Sequence, residues 1–162
     1  MKTMKLAAIA AFALAASPAL AATATGTLTV TASVKQQCTI SNAALAFGAY
    51  DPVTANAATA LTANTNFSVA CTKGSSGVTI GLSGTAGTRK MTSAVGGNLT
   101  YELYSDLAMA NVWDSLGANA VALAAPGSKA AVNVPVYGKV AAGQDPGVAA
   151  DFSDSVIATI NF

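Results

Sequence analysis

The sequence contains no histidine. This absence removes the Ser-His-Asp and Cys-His catalytic arrangements, together with the commonest metal ligand in proteins. The sequence also has no Gly-x-Ser-x-Gly motif, phosphate-binding loop or dinucleotide fingerprint that would indicate another chemistry. We therefore predict a protein that is not an enzyme and that holds no cofactor and no metal.

Charged residues are scarce, at 9% of the chain, and aromatic residues make up only 6%. The net charge is +1, and the basic residues are scattered along the sequence, so no basic footprint for nucleic acid or an anionic membrane is predicted. A surface rich in alanine, threonine, serine, glycine and valine is natural for a protein that packs against copies of itself. We expect no nucleic-acid partner.

The aspartates do not show the spacing of a known cation-binding loop, and we interpret them as turn residues that cap backbone groups. A cation site and a catalytic carboxylate pair remain as alternatives. The aspartates in question are Asp51, Asp106, Asp114, Asp145, Asp151 and Asp154. Trp113 and the tyrosines are interpreted as core or strand-face residues, in preference to a sugar-binding platform.

The N-terminus has the pattern of a secretory signal peptide. Lys2 and Lys5 precede an apolar run over residues 6–16, and a small-x-small pattern ends at Ala21. The run is too short for a stable membrane-spanning helix, and no later segment is apolar for eighteen residues. We predict a signal peptide over residues 1–21, export of the chain, and no membrane insertion of the mature protein.

Cys38 and Cys71 are the only cysteines. In an exported chain an even number of cysteines indicates a disulfide, and a catalytic thiol would have no histidine to deprotonate it. The predicted bond between them would contribute about 4 kcal/mol of stability in the chain-entropy description.

Residues 23–34 alternate strictly between small or apolar side chains and hydroxyl side chains. Ala24 and the following apolar positions share one face, namely Gly26, Leu28, Val30, Ala32 and Val34. This period of two is typical of a half-buried strand, although a free chain end is usually disordered. Either the segment pairs within its own domain, or it is made to pair with another molecule.

The rest of the chain reads as short strands separated by turns rich in glycine. Residues 54–65 are rich in alanine, threonine and asparagine and are predicted to be a connection, whereas residues 66–72 alternate as a strand. Pro135 interrupts a valine-rich strand, which predicts an edge position or a bulge. The last apolar face comprises Val156, Ala158, Ile160 and Phe162. Together these patterns predict an antiparallel β-sandwich without a substantial helix.

In this order, several motifs resemble the spore coat protein U family, which includes subunits of archaic chaperone–usher pili. The motifs are "CTI", "LAFGAYDP", "FSVACTKG", "VTIGLSG", "RKMTSAVGGNLTYELYSD", "VW", "VPVYGKVAAGQ" and "DFSDSVIATINF". The most specific are "RKM…LTYELYSD", "YGKVAAGQ" and the C-terminal D-x-x-V-x-x-x-I-N-F. Phe152 departs from the tyrosine expected there, which keeps an aromatic ring but removes a hydroxyl group.

The resemblance implies an incomplete immunoglobulin-like antiparallel sandwich that lacks its last strand and therefore exposes a groove. A periplasmic chaperone would fill this groove first, and the N-terminal strand of the next subunit would replace the chaperone at the outer-membrane usher. The implied domains are a donor-strand extension over residues 22–36 and a pilin domain over residues 37–162. The donor face would be Gly26, Leu28, Val30, Ala32 and Val34, and the chaperone would dock at Val156, Ala158, Ile160 and Phe162.

The resemblance predicts a structural subunit of a surface pilus, which polymerises with identical or related subunits and supports attachment and biofilm formation. It would pass through the periplasm to the cell surface. One alternative is a spore-coat or extracellular matrix protein of the same family. A second alternative is a monomeric secreted carbohydrate-binding sandwich that folds its own N-terminal strand back.

Overall fold

The computed structural model describes residues 21–115, 117 and 119–162. The described chain is all-β and about 3% helical, with antiparallel sheets in a curled, sandwich-like arrangement. This confirms the predicted fold class. The predicted signal peptide lies almost wholly outside the described residues and stays a prediction. The compact unit spans Val34–Phe162, and the described residues 21–33 lie outside it.

Eight strands and one helical turn follow one another along the described part of the chain. They are β1 (Cys38–Ile40), α1 (Ala55–Ala58), β2 (Leu61–Cys71), β3 (Thr79–Leu82), β4 (Lys90–Thr92), β5 (Asn98–Tyr104), β6 (Val121–Ala122), β7 (Val132–Val140) and β8 (Ala158–Asn161). Sheet I has the order β1-β2-β7-β5-β4, and sheet II has the order β6-β3-β8. The long β2–β7 ladder runs from Leu61 opposite Val140 to Val69 opposite Val132 and forms the centre of sheet I.

The prediction of a connection over residues 54–65 was wrong in its second half. The helical turn α1 is followed almost at once by β2, which begins at Leu61. The period of two extends through this stretch, since Leu61 and Ala63 are half-buried while Thr62 and Asn64 are exposed. Pairing with β7 overrides the low strand propensity of asparagine, because such propensities depend on the surrounding sheet.

Pro135 lies in an internal strand of sheet I, so the predicted edge position needs a correction. Its partner in β2 is Asn66, but the pairing of β7 with β5 extends only as far as Tyr137 opposite Tyr104. Pro135 therefore lies beyond the end of β5, where one side of β7 has no ladder partner in β5. A residue without an N–H group is tolerated at such a position.

The core lies between the two sheets and is fixed by a single tryptophan. Trp113 is fully buried, its indole Nε1–H donates to the backbone oxygen of Ile80 at 2.9 Å, and its backbone N–H donates to Leu103 at 2.8 Å. Its ring also lies edge-on to Phe67, with centroids 6.3 Å apart. One residue therefore ties β5 of sheet I to β3 of sheet II, and its burial confirms the interpretation of Trp113 as a core residue.

The predicted disulfide joins Cys38 to Cys71, and these residues lie directly opposite each other in the β1–β2 pair. Both cysteines are buried. The bond fixes the register of β1, a strand of 3 residues that has only one neighbour in sheet I. No helix among the described residues has the length and apolar character needed to cross a membrane.

Candidate functional site

An open groove of about 670 Å³ runs between the two sheets. Its floor consists of core side chains from both sheets, including Leu82, Tyr101, Leu103 and Val136. One long rim is the segment over residues 40–47, and the other rim is the segment over residues 152–158, which leads into β8. A groove floored by core residues exposes apolar surface that a completed sandwich would bury.

Both rims of the groove carry backbone groups without ladder partners. Among the described strands, β8 pairs with β3 alone, so its other edge is free. On the opposite rim, no backbone-to-backbone hydrogen bond links residues 42–49 to another described residue. A free strand edge on one rim and an unpaired backbone segment on the other, with an apolar groove between them, form a template for an added strand.

The predicted chaperone-docking residues lie at one rim and its continuation. Val156 and Ala158 line the groove, and Ile160 packs against the core opposite Ile80 of β3. Phe162 is half exposed and follows the last residue of β8. Their alternation places Ile157, Thr159 and Asn161 on the exposed side. The structure therefore brings the three residues Val156, Ala158 and Ile160 to one half-buried face, while their contact with a chaperone stays a prediction.

The other rim is held by an unusually close approach to Gly138 in β7. A Cβ atom at Gly138 would lie 2.5 Å from Leu45 Cδ2 and 2.6 Å from Phe47 Cζ. Leu45 and Phe47 thus rest on the backbone of β7, and Phe47 also packs edge-on against Tyr101 with centroids 6.0 Å apart. A Cβ at this position would overlap the ends of the Leu45 and Phe47 side chains, which would have to move away from β7. Sequence reasoning did not identify this role of the glycine in "YGKV".

The predicted donor face is wholly exposed in the structure. Residues 21–37 form no assigned strand, and every one of them is exposed. Leu28, Val30 and Val34 have exposed fractions of 86%, 83% and 85%. Gly26 has no neighbour within 4 Å of an added Cβ. These side chains keep the alternation of a half-buried strand while they contribute nothing to a core.

Polar contacts fasten the segment that leads into β8. The hydroxyl of Tyr101 donates to Asp154 at 2.7 Å, and burial followed by this hydrogen bond raises the pKa of Tyr101 well above its usual range. Ser153 exchanges two backbone hydrogen bonds with Thr92 of β4. This rim is therefore attached to sheet I at one end, although it continues into sheet II.

A buried ion pair adds a second attachment that sequence reasoning missed. Arg89 is 4% exposed, and its guanidinium donates to Glu102 at 2.7 Å and to the backbone oxygen of Ser83. Ser83 in turn exchanges hydrogen bonds with Ile157, through its N–H at 2.8 Å and its hydroxyl at 2.8 Å. The chain of contacts connects β5 through Arg89 and Ser83 to the rim of the groove.

The "YGKVAAGQ" motif also has a structural role. The side-chain oxygen of Gln144 accepts from the backbone N–H and the hydroxyl of Thr100, each at 2.7 Å. The hydroxyl of Tyr50 donates to Ala141 and accepts from the Gln144 N–H, both at 2.9 Å. These bonds join the loops that follow the rim segment and β7. A glutamine that satisfies a strand backbone leaves no pattern in a single sequence, which explains why it was not predicted.

Most of the aspartates accept hydrogen bonds from nearby backbone N–H groups, as interpreted from the sequence. The Thr54 hydroxyl and the N–H groups of Thr54 and Val53 lower the pKa of Asp51 to about 2. Backbone N–H groups likewise hold the pKa values of Asp106 and Asp114 low. The Ser93 hydroxyl, followed by the Ala94 N–H, lowers the pKa of Asp151. Among the described residues, no group of three or more potential ligands could hold a metal ion.

Comparison with known proteins assigns the chain to a family. The model of the Spore Coat Protein U domain matches residues 24–159, which includes most of the exposed N-terminal segment and nearly all of the sandwich. A relative named "Protein U" from Myxococcus xanthus is 37% identical over 179 residues, covering 100% of this chain and 98% of that protein. The family consists of structural β-sheet proteins of the pilus and spore-coat type and is not a family of enzymes. The chain belongs to the Spore Coat Protein U family.

Proposed function

We propose that the protein is the subunit of a surface pilus and that it polymerises by donating residues 23–34 to the groove of the next copy. The observation that carries the proposal is that one chain has both an apolar groove and an exposed N-terminal segment with the pattern of a strand. The groove lacks a strand, and the N-terminal segment is a strand pattern without a sheet. Each surface supplies what the other needs, and identical subunits would satisfy both.

The energetics of the exchange favour a stable polymer. Leu28, Val30 and Val34 would each contribute roughly 1.5–3 kcal/mol on burial, while Gly26 and Ala32 contribute less. Ladder hydrogen bonds to the free edge of β8 and to the rim over residues 40–47 would add to this burial energy. The threonines between the apolar residues would face outward, because side chains alternate across a strand.

A subunit with an open groove needs protection before it assembles, since an exposed core and a free edge promote aggregation. The proposed partners are a periplasmic chaperone that fills the groove and an outer-membrane usher where the chaperone is exchanged for the next subunit. Export to the periplasm agrees with the disulfide between Cys38 and Cys71. The finished filament would lie at the cell surface and support attachment and biofilm formation.

Deletion of residues 23–34 tests the proposal. The shortened chain should fold and be exported when it is produced with its chaperone, but electron microscopy should show no filaments. A synthetic peptide of residues 22–36 should then bind the shortened chain released from the chaperone, and the same peptide with Val30→Asp should not. If the full-length chain instead remains a stable monomer without a chaperone and the deletion unfolds it, the protein is a self-complemented sandwich.

A coat or matrix protein is the second candidate, and the family description favours it because it refers to the spore coat. Such a protein would use the same groove and the same donor segment in a different assembly. Electron microscopy of material assembled from the purified protein separates the two functions. Thin linear filaments support a pilus, whereas sheets or amorphous layers that still require residues 23–34 support a coat.

A further inference from the structure

The donor segment is connected to its own domain with almost no slack. Only residues 35–37 separate Val34 from Cys38, the first residue of β1. The Thr72 hydroxyl donates to the Lys35 carbonyl at 3.2 Å, and the Thr72 N–H donates to the Gln37 carbonyl at 2.8 Å. The Gln36 amide donates to the Ser76 carbonyl at 2.9 Å. The connection is therefore held against the domain from the residue that follows Val34.

This anchoring limits the distance between consecutive subunits, because an extended residue spans only about 3.5 Å. When Val34 lies in the groove of a neighbour, the mouth of that groove must lie within one or two residues of Thr72. Two folded domains cannot come so close without contact between their ends. The nature of those ends then determines how the junction behaves.

One end of the domain, which we call the linker end, is basic. It is the end of sheet I where β2 finishes and β7 begins, and the N–H of Gly74 donates there to Pro126 at 3.0 Å. Three exposed lysines lie on the segments that meet here, namely Lys35, Lys73 and Lys129. They are scattered along the sequence, and the fold brings them to one end.

The opposite end, which we call the loop end, is acidic. It is the end where β2 begins and β7 finishes, and the Gly143 N–H donates to Asn56 there at 2.8 Å. The turn between β4 and β5 joins it through Asp151, which accepts from the Ser93 hydroxyl at 2.5 Å and from the Ala94 N–H at 3.0 Å. The loop end thus carries Asp51, Asp145 and Asp151, together with Val95 and Val148, which are 76% and 102% exposed.

The donor could leave the groove of its neighbour at either end, because the groove extends from Ile40 at the linker end to Phe152 at the loop end. If the donor left its neighbour's groove at the linker end, the basic linker ends of the two subunits would meet. Each subunit in a filament would then have to use its single linker end for the junctions with both of its neighbours. Departure at the loop end uses each end once. It also makes the donor antiparallel to β8, the more stable pairing.

We propose, on the basis of the proposed function, that the acidic loop end of each subunit docks against the basic linker end of the next copy. Asp51, Asp145 and Asp151 face Lys35, Lys73 and Lys129 across this second interface. The donor strand holds the subunits together, and the docked ends fix the angle between them. The filament is then stiff at low salt and becomes more flexible when the charges are screened.

Charge reversal at each end tests the interface. The basic-end variant carries Lys73→Glu and Lys129→Glu, the acidic-end variant carries Asp145→Lys, and a third variant combines all three changes. The replaced residues are exposed, and Asp51 and Asp151 are left unchanged because they cap backbone groups. Asn64→Glu, in the middle of β2 on the exposed face of sheet I, is the control for added negative charge.

The measurement is the persistence length of purified filaments in electron micrographs at about 0.05 M and about 1 M NaCl, where screening lengths differ several-fold. Each single-end variant should still form filaments, with a persistence length at least about 1.5-fold shorter at low salt, the scale of one exposed ion pair. In the combined variant Lys35 and two glutamates leave the linker end at −1, and two aspartates and one lysine leave the loop end at −1. Stiffness should therefore not recover at low salt, and high salt should abolish the difference from wild type. Equal stiffness of wild type, both single-end variants and Asn64→Glu would overturn the docked interface alone, whereas a wild type without filaments would overturn the proposed function.

Discussion

Residues 23–34 and strand β2 carry the same kind of pattern but have opposite environments. In β2 the alternation is matched on both sides by β1 and β7, and Val69 is 1% exposed. In the N-terminal segment the alternation is equally regular, yet Val30 is 83% exposed. An alternating pattern therefore specifies which face of a strand is apolar, but it does not specify the partner that covers this face.

The difference explains how one chain can form a stable domain and still expose surfaces that a further strand could cover. β2 is tied to β1 by the disulfide and to β7 by a long ladder, so its apolar face is satisfied within the domain. The N-terminal segment has no such partner, and the groove has a free edge at β8. Under the proposed function, the free energy that a complete sandwich gains internally would be available for assembly.

The largest predicted effect comes from placing a charge at one apolar valine of each region, Val30 in the N-terminal segment and Val69 in β2. Val30→Asp should abolish filament formation without changing the stability of the chaperone-bound subunit, because a charge would have to be buried unpaired in the neighbour's groove. Val69→Asp should instead prevent folding of the subunit itself. Polymerisation assays and the yield of soluble chaperone complex distinguish the two outcomes.

Thr29→Asp is the control, because it places the same charge on the opposite face of the segment, and it should polymerise. If Thr29→Asp and Val30→Asp behave alike, the assignment of the apolar face to a buried strand is incorrect.

Deletion of residues 160–162 should have the next largest effect, since it shortens the free edge that an added strand would pair with. The deletion removes Ile160, which packs against the core, and two residues of the ladder with β3. We expect loss of chaperone binding and export, measured by co-purification. Replacement of Phe162 alone by serine should have a weaker effect, because this residue is half exposed. Normal chaperone binding by the deleted chain would contradict the role assigned to β8.

Gly138→Ala should have a moderate effect on the opposite rim. The added Cβ would overlap Leu45 and Phe47, and overpacking of this kind costs typically about 1–3 kcal/mol of folding free energy. The displaced rim should also weaken binding of a peptide of residues 22–36. Gly127→Ala provides a control, because nothing lies within 4 Å of its added Cβ. Equal unfolding midpoints of the two variants in urea would show that Leu45 and Phe47 can move away from the added Cβ without a loss of folding free energy.

Sequence reasoning predicted those parts of the fold that follow from period and residue type. The shared face of Val156, Ala158 and Ile160, the buried tryptophan and the disulfide all follow from local pattern. It missed the contacts that depend on where distant segments meet, such as Arg89 with Glu102 and Gln144 with Thr100. The early start of β2 was missed because its asparagines and threonines resemble a loop until β7 pairs with them.

The candidate site divides in the same way. The alternation over residues 23–34 indicated the donor face, and the final residues indicated a strand. The rim over residues 40–47 was not predicted as a rim, because a segment with few hydrogen-bond partners resembles an ordinary loop in sequence. The three lysines of the linker end also appeared scattered, since their proximity is a property of the fold.

The smallest predicted effect concerns pH and separates the domain from its donor segment. Asp51 has a pKa lowered to about 2 from the ordinary value of 3.8, because Thr54 and neighbouring N–H groups bind the charged form. A lowered pKa contributes stability above pH 4 that is lost as the pH falls from about 4 to about 2. Urea unfolding at pH 7, 4 and 2 should therefore show a smaller loss of folding stability at low pH for Asp51→Asn than for wild type.

The donor segment should behave differently, because residues 22–34 contain no titratable side chain. The retention of a donor peptide in a folded groove should therefore not change between pH 7 and pH 5. A steep change in that range would mean that an ionisable group of the domain takes part in strand binding.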